Sequence, residues 1–141
     1  MPRLTRALAA AIAMTALVSC STNPSAPGRL EGTAWRAENI EGQPVADDRQ
    51  PSTLRFFDRQ LAGGSLGCNA YSTTYFADSA GLRFGEIAPT RKVCPDPVME
   101  QEARFSAALR STSHSHVDDK GALVLFDAKG TPRVRLLPMT P

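Results

Sequence analysis

The chain has 141 residues, with 16 Lys+Arg against 14 Asp+Glu, a length that fits one small domain with a core of its own. Arg3 and Arg6 lie within the first nineteen residues, so residues 20–141 carry 14 charges of each sign. Formal neutrality removes the basic footprint of a nucleic-acid binder, and nucleic acid is excluded as a partner.

Residues 1–6 are positive and contain no acid, and residues 7–18 are Ala, Leu, Ile, Met and Val, broken only by Thr15. A positive flank followed by a short apolar run is the layout of a secretory signal peptide. The run is shorter than the ~20 apolar residues that a membrane-crossing helix requires. Leu17-Val18-Ser19-Cys20 resembles the bacterial lipobox. That resemblance implies a diacylglyceryl group on the Cys20 thiol, cleavage after residue 19 and acylation of the new amino terminus. With ~0.8 kcal/mol per buried CH₂, one acyl chain holds a protein marginally, whereas several hold it effectively for good. Membrane lipid, reached through Cys20, is therefore an expected partner. Ser21 is compatible with sorting to an outer membrane in bacteria that have one, which places the protein on the periplasmic side of the envelope.

With Cys20 assigned to lipid, Cys68 and Cys94 remain as an even pair in an oxidising compartment, and a disulfide between them is the economical reading. The span of 94 − 68 = 26 residues is worth about 3.5 kcal/mol in the chain-entropy model.

Residues 20–29 read as a flexible tether, since residues 21–29 hold Ser, Thr, Asn, two Pro and a Gly, with Ala26 the one apolar side chain. Such a tether is expected to let the folded part stand clear of the membrane. Strands are then predicted at residues 33–40, stopped by Glu41-Gly42-Gln43-Pro44, and at residues 53–57. A third is expected at residues 61–66, where Gly63-Gly64 suggests a bulge or sharp bend. Residues 71–77 and 82–87 follow.

One segment reads as a helix, with Asp96 as N-cap and Pro97 at the first helical position. Val98, Met99, Phe105 and Leu109 make its apolar stripe, Glu100, Gln101, Arg104 and Arg110 cover the rest, and residues 111–113 end it. Strands return at residues 114–117, 122–126 and 133–137, joined by Asp118-Asp119-Lys120-Gly121 and Asp127-Ala128-Lys129-Gly130, which have tight-turn chemistry. The fold class expected is α+β, a mainly antiparallel sheet or partly open barrel packed on one helix.

Two segments carry a family resemblance. Gly64-Ser65-Leu66-Gly67-Cys68-Asn69 resembles the Gly-x-x-Gly-Cys-Asn signature of the META domain, or HslJ-like, family. Thr90, four residues before Cys94, resembles its second signature, and Met99, Glu102 and Phe105 are similar to its Met-x-x-Glu-x-x-Phe helix. An early Trp, here Trp35, also fits; Ala37 departs from the aliphatic residue often found two places after it. The resemblance spans a domain at residues 30–138. It implies a lipoprotein or secreted protein, linked to heat-shock response, antibiotic tolerance or virulence, with no reaction established for the class. Gly67, Asn69, Thr90 and Glu102 match the family positions, and the expected role of Asn69 and Thr90 is side-chain hydrogen bonding that fixes the turns beside the cysteines.

Catalytic chemistry finds little support. A cysteine nucleophile needs a free thiol beside a base, and the pairing of Cys68 with Cys94 removes it. Ser65 does not sit in a Gly-x-Ser-x-Gly elbow, and Gly63-Gly64 lacks the residues of a phosphate loop. His114 and His116 alternate on a strand, with Asp118 next in the alternation, and could offer half of a zinc or copper site; a solvated strand face is the favoured reading. Asp118-Asp119 and Asp47-Asp48 read as solvated turns. The expectation is a non-enzymatic, lipid-anchored envelope protein without cofactor or small-molecule substrate, with an envelope protein as the kind of partner expected. The alternatives are an apolar-ligand or partner-binding module with a cleft lined by Phe56, Phe84 or Phe105, and a weak metal binder through the two histidines.

Overall fold

The computed structural model describes residues 30–46 and 49–140. The expected signal peptide, Cys20, the tether, and Asp47 and Asp48 lie outside the described residues. Alternation decides the start of the first strand: in β1 (Ala34–Ile40), Trp35 and Ala37 are buried while Arg36 and Glu38 face solvent, and a register shift between Ala37 and Asn39 then turns Ile40 inward. The same period of two runs through β3 (Thr53–Phe56) and through β5 (Ala70–Asp78), where Tyr71, Thr73 and Tyr75 point inward. The remaining strands are β2 (Gln43–Pro44), β4 (Leu61–Ser65), β6 (Gly81–Phe84), β7 (Ala88–Pro89), β8 (Thr112–Val117), β9 (Leu123–Asp127) and β10 (Pro132–Pro138), with the helix α1 (Asp96–Ser111) between β7 and β8.

All pairings are antiparallel, in the order β6-β5-β4-β3-β1-β10-β9-β8, with β2 on β1 and β7 on β5. The chain's last long strand thus sits beside its first, and the two ends of the sheet, β6 and β8, come together. A Cβ on Gly81 would lie 2.2 Å from the Ser113 carbonyl oxygen, which shows how close the two edges are. The result is a nearly closed antiparallel barrel with one helix packed against it, as the strand and helix patterns predict.

The interior is filled from both elements. Phe105, Ala108 and Leu109 of α1 join Trp35, Leu54, Phe56, Tyr71, Leu125 and Leu136 of the sheet in one buried cluster. The Tyr71 and Phe105 rings meet edge to face at 6.3 Å.

Four local expectations are corrected. The helix begins at Asp96 with Pro95 as its N-cap and no side-chain cap; the Pro95 carbonyl accepts the first amides, from Val98 and Met99. Asp96 instead places its charge in the first turn, where the helix dipole favours it. Gln101 is not on the solvent side but 1% exposed, because residue 101 lies three after Val98 and four before Phe105 on the buried stripe. Strand 82–87 stops at Phe84, and the two-residue β7 follows. Gly63-Gly64 makes no bulge against β5, since Leu61 to Ser65 pair with Thr74 to Ala70 without a register shift. A Cβ on Gly63 would sit 2.6 Å from the Tyr71 carbonyl oxygen and one on Gly64 2.4 Å from that of Thr53, so the pair exists to let neighbouring backbones approach.

Candidate functional site

The residues that carry the family resemblance meet at one place, where the turn after β4, the loop before α1 and the second turn of α1 converge. Asn69 is at its centre and is 2% exposed. Its backbone N–H donates to Glu102 Oε2 at 2.8 Å, and its Nδ2 donates to Glu102 Oε1 at 2.8 Å and to the Lys92 carbonyl at 3.1 Å. Its Oδ1 accepts from the Thr90 hydroxyl at 2.8 Å and from the Lys92 amide at 2.6 Å. Its carbonyl accepts the Leu66 amide at 2.7 Å. Both side-chain donors, both acceptor positions of Oδ1 and both backbone groups of Asn69 are thereby used.

Cys68 and Cys94 are joined by a disulfide with Cα atoms 6.0 Å apart, covalently tying the same turn to the same loop. Gly67 precedes it with φ +136°, a backbone geometry that L side chains rarely adopt, and a Cβ there would touch Val98 and Gln101 at 3.4 and 3.5 Å. Ser65 serves this turn too: its hydroxyl accepts the Gly67 amide at 3.1 Å and donates to the Gly67 carbonyl at 3.2 Å.

Another polar contact, with no counterpart among the sequence motifs, lies one residue along the helix. Gln101 Oε1 accepts the Ala46 amide at 2.6 Å, and its Nε2 donates to Ser52 Oγ at 2.9 Å and to the Gln50 carbonyl at 3.3 Å. Ser52, fully buried, passes the chain on to the Leu66 carbonyl at 2.7 Å. The helical period alone would have found Gln101, since it places 101 and 102 together on the inner stripe. Two adjacent polar residues therefore clamp α1 to the segments on either side of β3 and β4.

The other sequence candidates are separate from this junction. His114 and His116 share the outer face of β8; the His114 ring stacks on Phe126 at 5.0 Å, and His116 is exposed opposite Val124. Asp118 does not join them. Its Oδ1 accepts the Lys120 and Ala122 amides at 2.9 Å each, and its Oδ2 accepts from Arg135 at 2.9 Å. Among the described residues no three His, Cys, Asp or Glu side chains stand together as a metal set.

Asp127 repeats the device in the second hairpin with the Lys129 and Thr131 amides, and Arg133 lies 3.4 Å from it. The turn amides, the Ala122 N–H above all, hold the Asp118 carboxyl below its ordinary range, and the Thr131 N–H does the same for Asp127. Arg135 also reaches Glu38 on β1, and Arg133 Nε donates to Glu41 at 2.9 Å. Asp118 and Asp127 are therefore structural in the hairpins rather than freely solvated.

Phe56, Phe84 and Phe105 do not line an open cleft. Phe56 and Phe105 are 1% and 0% exposed, with Tyr75 edge-on to Phe56 at 4.9 Å and Phe84 stacked on it at 6.1 Å. Burial pushes the Tyr71 hydroxyl pKa up, so it stays a neutral donor, to the Thr53 carbonyl at 3.1 Å. No described helix is long and apolar enough to cross a membrane.

Comparison with known proteins agrees with the geometry. The META domain family model matches residues 28–139. The chain is 26% identical over 98 residues to the heat shock protein HslJ of Escherichia coli (strain K12), an alignment covering 67% of this chain and 69% of that one. Its fold is similar to an NMR structure of a protein from Burkholderia xenovorans, with TM-score 0.68 and 22% identity over 91% of this chain and 98% of the other. A further NMR structure aligns with TM-score 0.61 and 25% identity, over 78% of this chain and 93% of its own.

Proposed function

The chain belongs to the META domain family, and from that premise we propose that it is a lipid-anchored protein of the bacterial cell envelope that acts by binding or bracing under stress. The observation that supports a role without bond-making chemistry is the complete use of Asn69. The polar residues of the family motif satisfy one another, Asn69 with Glu102, Thr90 and Lys92, and the thiols of Cys68 and Cys94 are joined. Groups spent in this way hold a scaffold; a nucleophile or general base needs a free, accessible atom. The anchoring half of the proposal rests on the lipobox-like Leu17-Val18-Ser19-Cys20. The stress context is carried over from the E. coli relative, whose name places it among heat shock proteins.

The anchor is tested by growing cells on labelled palmitate. Wild type should incorporate label and Cys20→Ser should not; equal labelling of the two would remove the anchor. Crosslinking of whole envelopes followed by capture of the acylated protein then reads out its protein neighbours. Capture of no envelope protein from stressed cells would count against the binding role.

A further inference from the structure

Five large apolar side chains are exposed among the described residues; Val93 and Val117 are on other segments, and the remaining three cluster at one end of the barrel. Phe57, Leu61 and Phe76 are 46%, 48% and 48% exposed. Register places them together. Arg55 pairs with Gly63 and Phe56 with Ala62, so Phe57 stands opposite Leu61, and the Phe57 amide donates to the Leu61 carbonyl at 2.7 Å. Leu61 is opposite Thr74, which puts Phe76 on the diagonal of the same outer face, within ~7–8 Å and in reach of a long side chain. Three large apolar side chains on three adjacent segments form one contiguous exposed patch, of the kind that marks a membrane or partner contact.

Their location relative to the start of the folded chain decides what covers them. The Gly32 amide donates to the Phe56 carbonyl at 2.8 Å, and the Thr33 carbonyl accepts the Phe56 amide at 3.0 Å. Leu30, two residues earlier, packs on the core at this same end. The chain therefore leaves the domain beside Phe57, and 30 − 20 = 10 residues separate Leu30 from Cys20. At ~3.3–3.6 Å per residue those ten span at most about 35 Å, roughly one domain diameter.

From this placement, and resting on the anchoring through Cys20 proposed above, we infer that the end of the barrel carrying Phe57, Leu61 and Phe76 docks directly on the lipid bilayer that holds Cys20. The domain then lies against the membrane instead of standing clear of it. A short tether holds this face at an effective concentration on the order of mM at the bilayer, so a weak partition of three side chains is enough. The charges around the face are of both signs: Arg59 lies 3.9 Å from Asp58, Arg83, opposite Phe76, lies 3.9 Å from Asp78, and Arg55 and Glu31 flank the same end. Contact is consequently apolar and insensitive to salt, unlike a polybasic membrane surface.

The test uses acylated protein purified from envelopes and reconstituted in phosphatidylethanolamine and phosphatidylglycerol vesicles. Trp35 is the sole Trp and is 7% exposed, so the parent reports a core position, while Phe76→Trp adds a reporter on the face. Lipids brominated near the headgroup end of the acyl chain should quench the introduced indole and leave Trp35 unquenched. Adding Phe57→Ser and Leu61→Ser should weaken that quenching at least several-fold, and high salt should leave it unchanged. An introduced indole that stays unquenched on acylated, vesicle-bound protein overturns the inference, as does quenching that salt abolishes. An indole that is unquenched but shielded in a concentration-dependent dimer would assign the face to a partner copy of the chain and equally overturn it. Failure of the anchor is a separate result, read by mass spectrometry as an unmodified Cys20. Coupling that thiol to a maleimide lipid then poses the docking question independently, with the same two outcomes.

Discussion

Glu102 grips Asn69 with both carboxylate oxygens, one on the backbone amide and one on the side-chain amide, each at 2.8 Å. The contact bridges 33 residues of chain and fixes the helix to the turn that holds the disulfide. Hydrogen bonds to a charged acceptor in a buried place are worth more than neutral ones, and a stranded partner costs about 1–3 kcal/mol on its own. Glu102→Ala should therefore lower unfolding stability by about 3 kcal/mol. Asn69→Ala should cost a similar amount, and the double variant should cost clearly less than the sum, with a coupling of at least ~1 kcal/mol. Urea unfolding of the four proteins in oxidising buffer measures this. Strict additivity would show that the pair is not an energetic unit. Glu102→Gln is the informative control, because its amide points a donor at the donors of Asn69 and should not restore stability.

Cys68→Ala removes the covalent tie across 26 residues and should destabilise the oxidised domain by about 3.5 kcal/mol, with Cys94→Ala costing the same. The two variants together should cost no more than either alone. Thermal melting of wild type with and without reductant gives an independent check. If reductant leaves the wild-type midpoint where it was, the bridge contributes nothing to stability.

Much of this architecture can be read from residue order, for identifiable reasons. The long strands are legible because a sheet wet on one face must alternate, as Trp35 and Ala37 do against Arg36 and Glu38. The helix is legible from Val98, Phe105 and Leu109. The two-residue strands β2 and β7 are not, because Gln43-Pro44 and Ala88-Pro89 are too short for a period and each contains a residue with no amide to donate. Polarity misleads at Gln101 and Asp118. Gln101 has the chemistry of a solvent-facing residue yet is buried with every contact satisfied. Asp118 has the chemistry of a loose turn acid yet is held by two amides and Arg135. Composition points outward in both, but Asp118 is fixed mainly by amides two and four residues on, with Arg135 arriving from β10, whereas every partner of Gln101 comes from another segment. The meeting of Asn69 with Glu102 belongs to the same class, since no local rule joins residue 69 to residue 102.

Phe105 is fully buried and touches Tyr71 across the interface of helix and sheet. Phe105→Ala should cost ~3–5 kcal/mol, through lost transfer energy and the cavity left behind. Phe105→Leu should recover a large part of that cost by refilling the volume. Denaturant midpoints of the three proteins test the assignment; a loss below about 1 kcal/mol for the alanine variant would mean that the helix does not pack where it is described.

The hairpin aspartates contribute stability that acid removes. Asp118 is held below the usual carboxylate range first by the Ala122 amide, then, against the opposing effect of partial burial, by Arg135 and the Lys120 amide. Asp127 is lowered first by the Thr131 amide, with the Lys129 amide and Arg133 adding to it. A carboxyl whose folded-state pKa is depressed stabilises the fold above its unfolded value, near ~3.9 for Asp, and loses that contribution as pH falls through the lower folded value. Stability should accordingly be level through neutral pH and decline below about pH 4. Asp118→Asn keeps the oxygen that accepts the Lys120 and Ala122 amides but has no charge to titrate and offers Arg135 a weaker partner. The variant should be less stable than wild type at pH 7, and the gap should narrow as pH falls from about 4, where the unfolded chain protonates, through the lower value at which folded Asp118 itself takes up a proton. A gap that stays constant from neutral to strongly acid pH would show that the carboxylate charge contributes nothing and that turn geometry alone explains the difference.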